Sequence, residues 1–120
     1  MADDSTYRRH TRQMLNVTFR VRDSDDPVGG ELLFDSLDLS IGGAFLRSDL
    51  LLEQGERVRV RFELPGRPTP VIAQARVARV TRTGDDPGMG LEFLDLTDEE
   101  RAAIDAFIRG QRRQALRRKR

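Results

Sequence analysis

The chain has 120 residues, with 21 Lys plus Arg, 20 Asp plus Glu, one His and no Cys, a length that fits one small domain and excludes a multidomain enzyme. Apolar residues make up 38% and charged residues 34%, enough for one thin core of the kind that a β-barrel or small sandwich encloses. The absence of cysteine removes any disulfide framework or thiolate metal site, and a single His argues against a His-rich metal centre or a Ser/His/Asp triad. The net charge of +1 hides an asymmetry: residues 109–120 carry seven cations and no acid, which leaves 14 basic and 20 acidic groups, a charge of −6, in residues 1–108.

Residues 1–13 hold only Met1, Ala2 and Tyr7 as apolar groups, too few to offset their ordering entropy, so they are expected to form a mobile arm. The arm has no apolar leader-like run, and no later run approaches the roughly 20 residues of a membrane span, so a cytoplasmic protein is expected. From Leu15 the pattern alternates, with Leu15, Val17, Phe19 and Val21 on one face and Asn16, Thr18, Arg20 and Arg22 on the other, which predicts a half-buried strand. A turn is expected next, at Asp23 to Gly30. The second strand is expected over Glu31 to Ser40 and a short third over Ala44 to Arg47. Val58, Val60, Phe62 and Leu64 alternate with Arg57, Arg59, Arg61 and Glu63 as a fourth strand with one wet face, ended by Pro65-Gly66. Val71 to Val80 and Met89 to Leu94 supply the fifth and sixth, separated by a turn over Gly84 to Gly88. Six short strands indicate an all-β antiparallel barrel.

Thr97 and Glu100 have capping-box spacing and open a helix over Ala102 to Ile108, whose Ile104, Phe107 and Ile108 form a narrow apolar stripe that can dock on a barrel end. Gly110 weakens helix formation beyond that stripe. The chain therefore divides into an arm (1–13), a barrel with its helix (14–108) and a basic tail (109–120).

Two motifs carry the functional signal. Arg8-x-x-x-Arg12, with Arg9 between, lies in the arm, and Asp38-x-Ser40-x-x-Gly43 lies where the second strand turns into the third. The arginine spacing alone is uninformative, since about three chance pairs are expected at this Arg content, whereas the Asp/Ser/Gly pattern is expected by chance only about 0.04 times. An ordinary strand-to-turn corner would use the same three residue types. Their order, an arginine arm, then the corner, then the Gly88-Met89-Gly90-Leu91-Glu92-Phe93-Leu94-Asp95-Leu96 strand and a capped helix, resembles the PilZ domain family over roughly residues 7–108.

The resemblance implies a six-stranded antiparallel PilZ-type β-barrel with a C-terminal α-helix, acting as a non-enzymatic receptor for the bacterial second messenger cyclic di-GMP. By position, Arg8 and Arg12 match the arginine pair, with Arg9 between them also expected at the ligand, and Asp38, Ser40 and Gly43 match the second motif. The chemistry is consistent: an Arg fork fits a phosphate or the O6/N7 edge of guanine, a carboxylate accepts the N1–H and N2–H₂ donors of guanine, and a glycine at position 43 lets backbone approach the ligand closely or adopt positive φ. Many family members place a stacking aromatic late in the fifth strand, where this chain has Arg79, whose guanidinium can also stack. No resident cofactor or metal is expected. The expected partners are cyclic di-GMP, an unidentified protein effector, and weak contact of the basic tail with nucleic acid or anionic membrane. A ligand-independent PilZ-like adaptor is the second reading. A nucleic-acid-binding small barrel is the third, weakened by the acidic body and by only seven aromatic residues, six Phe and one Tyr.

Overall fold

The computed structural model describes residues 17–26, 28–48, 52–82 and 87–118. Among these residues six strands, β1 (Thr18–Asp23), β2 (Leu32–Leu39), β3 (Gly43–Arg47), β4 (Arg57–Phe62), β5 (Val71–Thr81) and β6 (Gly88–Phe93), precede a C-terminal helix, α1 (Asp98–Arg118). All these strand pairs are antiparallel, and the order β1-β2-β3-β6-β5-β4 closes on itself, so none of the six is left as an edge. The six expected strands are present with small shifts at their ends. Leu15 and Asn16, expected to begin the first, lie outside the described residues, as does most of the expected turn before β6.

The period-two apolar positions fill the barrel. Val17, Phe19 and Val21 face Val58, Val60 and Phe62, and Val71, Ala73, Ala75 and Val77 complete that side of the core. Phe19 stacks on Phe62 with ring centroids 4.2 Å apart, and Phe93 joins them at 5.8 Å from Phe62. Such a cluster is worth more than its buried area because offset rings also gain electrostatically. At Pro65-Gly66 the chain turns with Gly66 at φ 83°, and Arg67 N–H donates to the Leu64 carbonyl at 3.1 Å. This is the geometry in which proline presets the first central residue and glycine tolerates the second.

The capping box forms as expected. Glu100 N–H donates to Thr97 Oγ1 at 3.1 Å, and Thr97 N–H donates to Glu100 Oε1 at 3.0 Å. Ile104 is fully buried, and Ala103, Phe107 and Ile108 pack partly against the core. The helix differs from expectation in length: it starts right after its cap and runs through Gly110 to Arg118, so residues 109–118 continue it. Arg, Gln, Ala and Leu around Gly110 are good helix formers, and the Asp105–Arg109 ion pair at 2.9 Å braces the turn before it.

Candidate functional site

Strict alternation along β2 would carry the inward-facing set Phe34 and Ser36 on to position 38. Instead the register shifts between Ser36 and Asp38, so one extra residue, Leu37, is accommodated and Leu39 takes the next buried position. This β-bulge turns Asp38 and Ser40 outward. A second register shift lies between Val77 and Arg79 in β5, where Ala78 is the extra residue. It interrupts the buried series Val71, Ala73, Ala75, Val77 and turns Arg79 outward. Asp38 pairs with Phe45, Phe45 with Gly90, and Gly90 with Arg79, so one transverse row on the outer surface runs Asp38, Phe45, Gly90, Arg79 across four strands.

This row forms the floor of an open groove of about 370 Å³ that is also lined by Ser40, Gly42, Gly43 and Glu92. Asp38 Oδ1 accepts the Phe45 backbone N–H at 3.1 Å, and its second oxygen has no partner among the described residues. The Arg79 guanidinium carbon lies 5.8 Å from the centroid of the Phe45 ring, a cation–π arrangement. Glu92 is joined to Arg76 at 2.5 Å. Among the described residues the charged groove lining is thus Asp38, Glu92 and Arg79.

Ser40 organises the β2–β3 turn. Its hydroxyl accepts the N–H groups of Gly42 (3.2 Å) and Gly43 (3.3 Å) and lies 3.3 Å from the Gly43 carbonyl, to which it donates. Gly43 does not adopt the positive φ offered as one reason for it; a Cβ there would collide with the Leu91 carbonyl of β6. Its missing side chain therefore lets β3 and β6 pair closely, which makes it a packing requirement of the groove's floor. Gly88 and Gly90 act similarly. A Cβ at Gly88 would collide with the Leu46 carbonyl and also strike the Phe45 ring, and one at Gly90 would meet Arg79 Cγ and Nε at 3.0 Å. The outer-face side chains of the flanking strands lie down over these two glycines.

Of the residues expected at the site, Asp38, Ser40, Gly43 and Arg79 line one groove; Arg8, Arg9 and Arg12 lie outside the described residues. Phe45, Gly90 and Glu92 were missed from sequence. Phe45 carried a signal, since an aromatic two residues after Gly43 on an alternating strand must share the outer face with the corner.

The PilZ domain family profile matches residues 6–110 of the chain. Two solved structures share the fold. The Bacillus subtilis inhibitor of motility (MotI/DgrA) superposes with a TM-score of 0.64 at 19% identity, covering 88% of this chain and 49% of its own, so this chain spans about half of it. The PilZ domain of CeSA from a cellulose-synthesizing bacterium superposes with a TM-score of 0.53 at 22% identity, covering 79% of this chain and 91% of its own. No curated protein sequence matches the chain.

Proposed function

This chain belongs to the PilZ domain family, and from that premise we propose that it is a receptor for cyclic di-GMP, which it holds between Arg8, Arg9 and Arg12 and the Asp38/Ser40/Gly43/Arg79 groove and reports to a protein partner. PilZ domains generally act as receptors for this dinucleotide and are typically binding rather than catalytic domains. The observation that carries the reading is the outward row created by the two bulges, because it gathers a carboxylate, an aromatic ring and a guanidinium from three of the four strands it crosses into one groove.

Each group has a chemical task. The Asp38 carboxylate keeps lone pairs beyond the one given to Phe45, enough to accept the paired N1–H and N2–H₂ donors of guanine. Arg79, resting against Phe45 and over Gly90, offers a flat cation on which a base can stack in place of the family's aromatic. Among the described residues the groove's charges, the Asp38 carboxylate, the Arg76-paired Glu92 and the one guanidinium of Arg79, do not suit two phosphates. The phosphates therefore require cations from elsewhere, and Arg8, Arg9 and Arg12 supply them, so ligand binding draws the N-terminal segment onto the barrel. The partner then reads the altered surface. The basic half of α1, with Arg109, Arg112, Arg113 and Arg117, adds a salt-sensitive attraction to nucleic acid or anionic membrane.

Titration calorimetry with cyclic di-GMP tests the proposal. Micromolar or tighter affinity is expected, with GMP binding far more weakly because it fills half the site. Arg8→Ala and Arg12→Ala should each weaken binding at least about tenfold, equivalent to roughly 1.4 kcal/mol for a charged hydrogen bond. Absence of heat and of any thermal shift at high ligand concentration would transfer the chain to the ligand-independent adaptor class.

A further inference from the structure

Beside the row that holds Asp38 runs a second one. Gly43 on β3 pairs with Glu92 on β6, Glu92 with Arg76 on β5, and Arg76 with Arg57 on β4. Glu92 is bounded by glycine on two sides: Gly43 stands directly opposite it, and Gly90 precedes it by two residues on the same strand face. All three residues line the groove, and neither glycine has a side chain to screen the carboxylate from it. On the other side, Arg76 Nη2 donates to Glu92 Oε1 at 2.5 Å, and both side chains are half exposed. Glu92 Oε2 and the remaining N–H groups of Arg76 have no partner among the described residues.

The pair is balanced in charge. Asp38 and Arg79 occupy the neighbouring row, and Arg57 lies beyond Arg76, at the end of the second row away from the groove. Of the described acids beside the second row, Glu56 accepts the Glu53 N–H at 2.8 Å and Asp95 accepts the Gln74 N–H at 2.7 Å. A balanced, half-exposed pair is a poor seat for a phosphate. It suits an uncharged group that presents a donor and an acceptor side by side.

We propose that Glu92 and Arg76 form the subsite for the second guanine of cyclic di-GMP. This rests on the receptor reading and extends it, because Asp38 reads only one of the two bases. Glu92 accepts the N1–H and N2–H₂ donors, and Arg76 donates to the adjacent O6. Asp38 and Glu92 are two strand spacings apart, about 9.6 Å, and two residues apart along the strands, about 6.7 Å, so their backbones are separated by about 12 Å. One dinucleotide lying over Gly43 and Gly90 therefore sends a base to each end. Adenine in the same orientation turns its N1 acceptor toward Glu92 and its N6–H₂ donors toward Arg76. Like then faces like at both atoms, and a site built to hydrogen-bond one base rejects the other by the groups left unpaired.

Calorimetry on the full chain tests the subsite with two ligands, cyclic di-GMP and the mixed guanine/adenine cyclic dinucleotide of the same linkage. The parent should prefer cyclic di-GMP at least about tenfold. Glu92→Gln should weaken cyclic di-GMP by a similar factor and scarcely change the mixed ligand, whose single guanine sits on Asp38, so the preference collapses. Arg76→Gln, which removes the O6 donor, should weaken cyclic di-GMP as well. Thermal melting of both variants should match the parent, since an exposed ion pair adds little to stability. Unchanged cyclic di-GMP affinity in both variants, equal loss of the two ligands in Glu92→Gln, or a parent that binds the two ligands equally would each overturn the subsite while leaving the receptor reading in place. No binding of cyclic di-GMP by the parent would overturn both.

Discussion

At Asp38 two demands meet on one side chain, and substitutions separate them. The carboxylate holds the Phe45 N–H across the β2 bulge and, in the proposed complex, also accepts from guanine. Asp38→Asn keeps an acceptor for Phe45 but turns donors toward the donors of guanine, so cyclic di-GMP affinity should fall at least about tenfold with little change in Tm. Asp38→Ala should lose both, with a stability cost of about 1 kcal/mol. Calorimetry alongside thermal melting of the two variants checks this, and a binding loss confined to Asp38→Ala would reduce Asp38 to a structural role. Gly43→Ala makes the opposite prediction: the new Cβ meets the backbone carbonyl of Leu91, which has no rotamer by which to move aside. Overpacking of this kind costs about 1–3 kcal/mol, and Tm should drop by roughly 4 °C or more even without ligand.

Among the elements, α1 has two parts with different support. Its first half is held by the Thr97/Glu100 box and by Ile104 in the core; its second half extends with Arg112, Arg113, Gln114 and Leu116 exposed. Thr97→Ala should lower stability by about 1 kcal/mol and leave ligand affinity intact, since the cap contributes nothing to the groove. Gly110→Ala should add about 0.5–1 kcal/mol of helix stability, because a Cβ there meets open space; circular dichroism near 222 nm, in the usual helical band, would report the gain. The strands show how little is needed to reverse a face. One extra residue in β2 and one in β5 re-aim Asp38 and Arg79, and a regular strand in either place would have driven a charge into the core.

For the molecule as a whole, the alternating apolar pattern of the first strand begins only at Leu15, and among the described residues the groove's one cation is Arg79. Deleting residues 1–12 should therefore leave a cooperatively melting barrel and remove most cyclic di-GMP affinity. In the full chain, saturating ligand should slow amide exchange in that segment and proteolysis after Arg8, Arg9 and Arg12. Unchanged affinity of the truncated protein would confine the site to the barrel, and unchanged exchange despite confirmed binding would remove the coupling.

The strands, the Pro65-Gly66 turn and the Thr97/Glu100 cap were legible in the chain itself because each depends on neighbours a few residues away: side chains alternate along extended backbone, glycine relieves a local clash, and a hydroxyl reaches one helical turn. The order Asp38, Ser40, Gly43 was also legible, as was its place at a strand-to-turn corner. Tertiary structure decided the rest. Closure of the barrel sets which residues stand opposite one another, and only that register put Phe45 between Asp38 and Arg79, gave Gly43, Gly88 and Gly90 their packing duties, and stood Glu92 between Gly43 and Arg76. Register joins residues far apart in the chain, and a bulge shifts it by a single position, so periodicity alone carries no record of it.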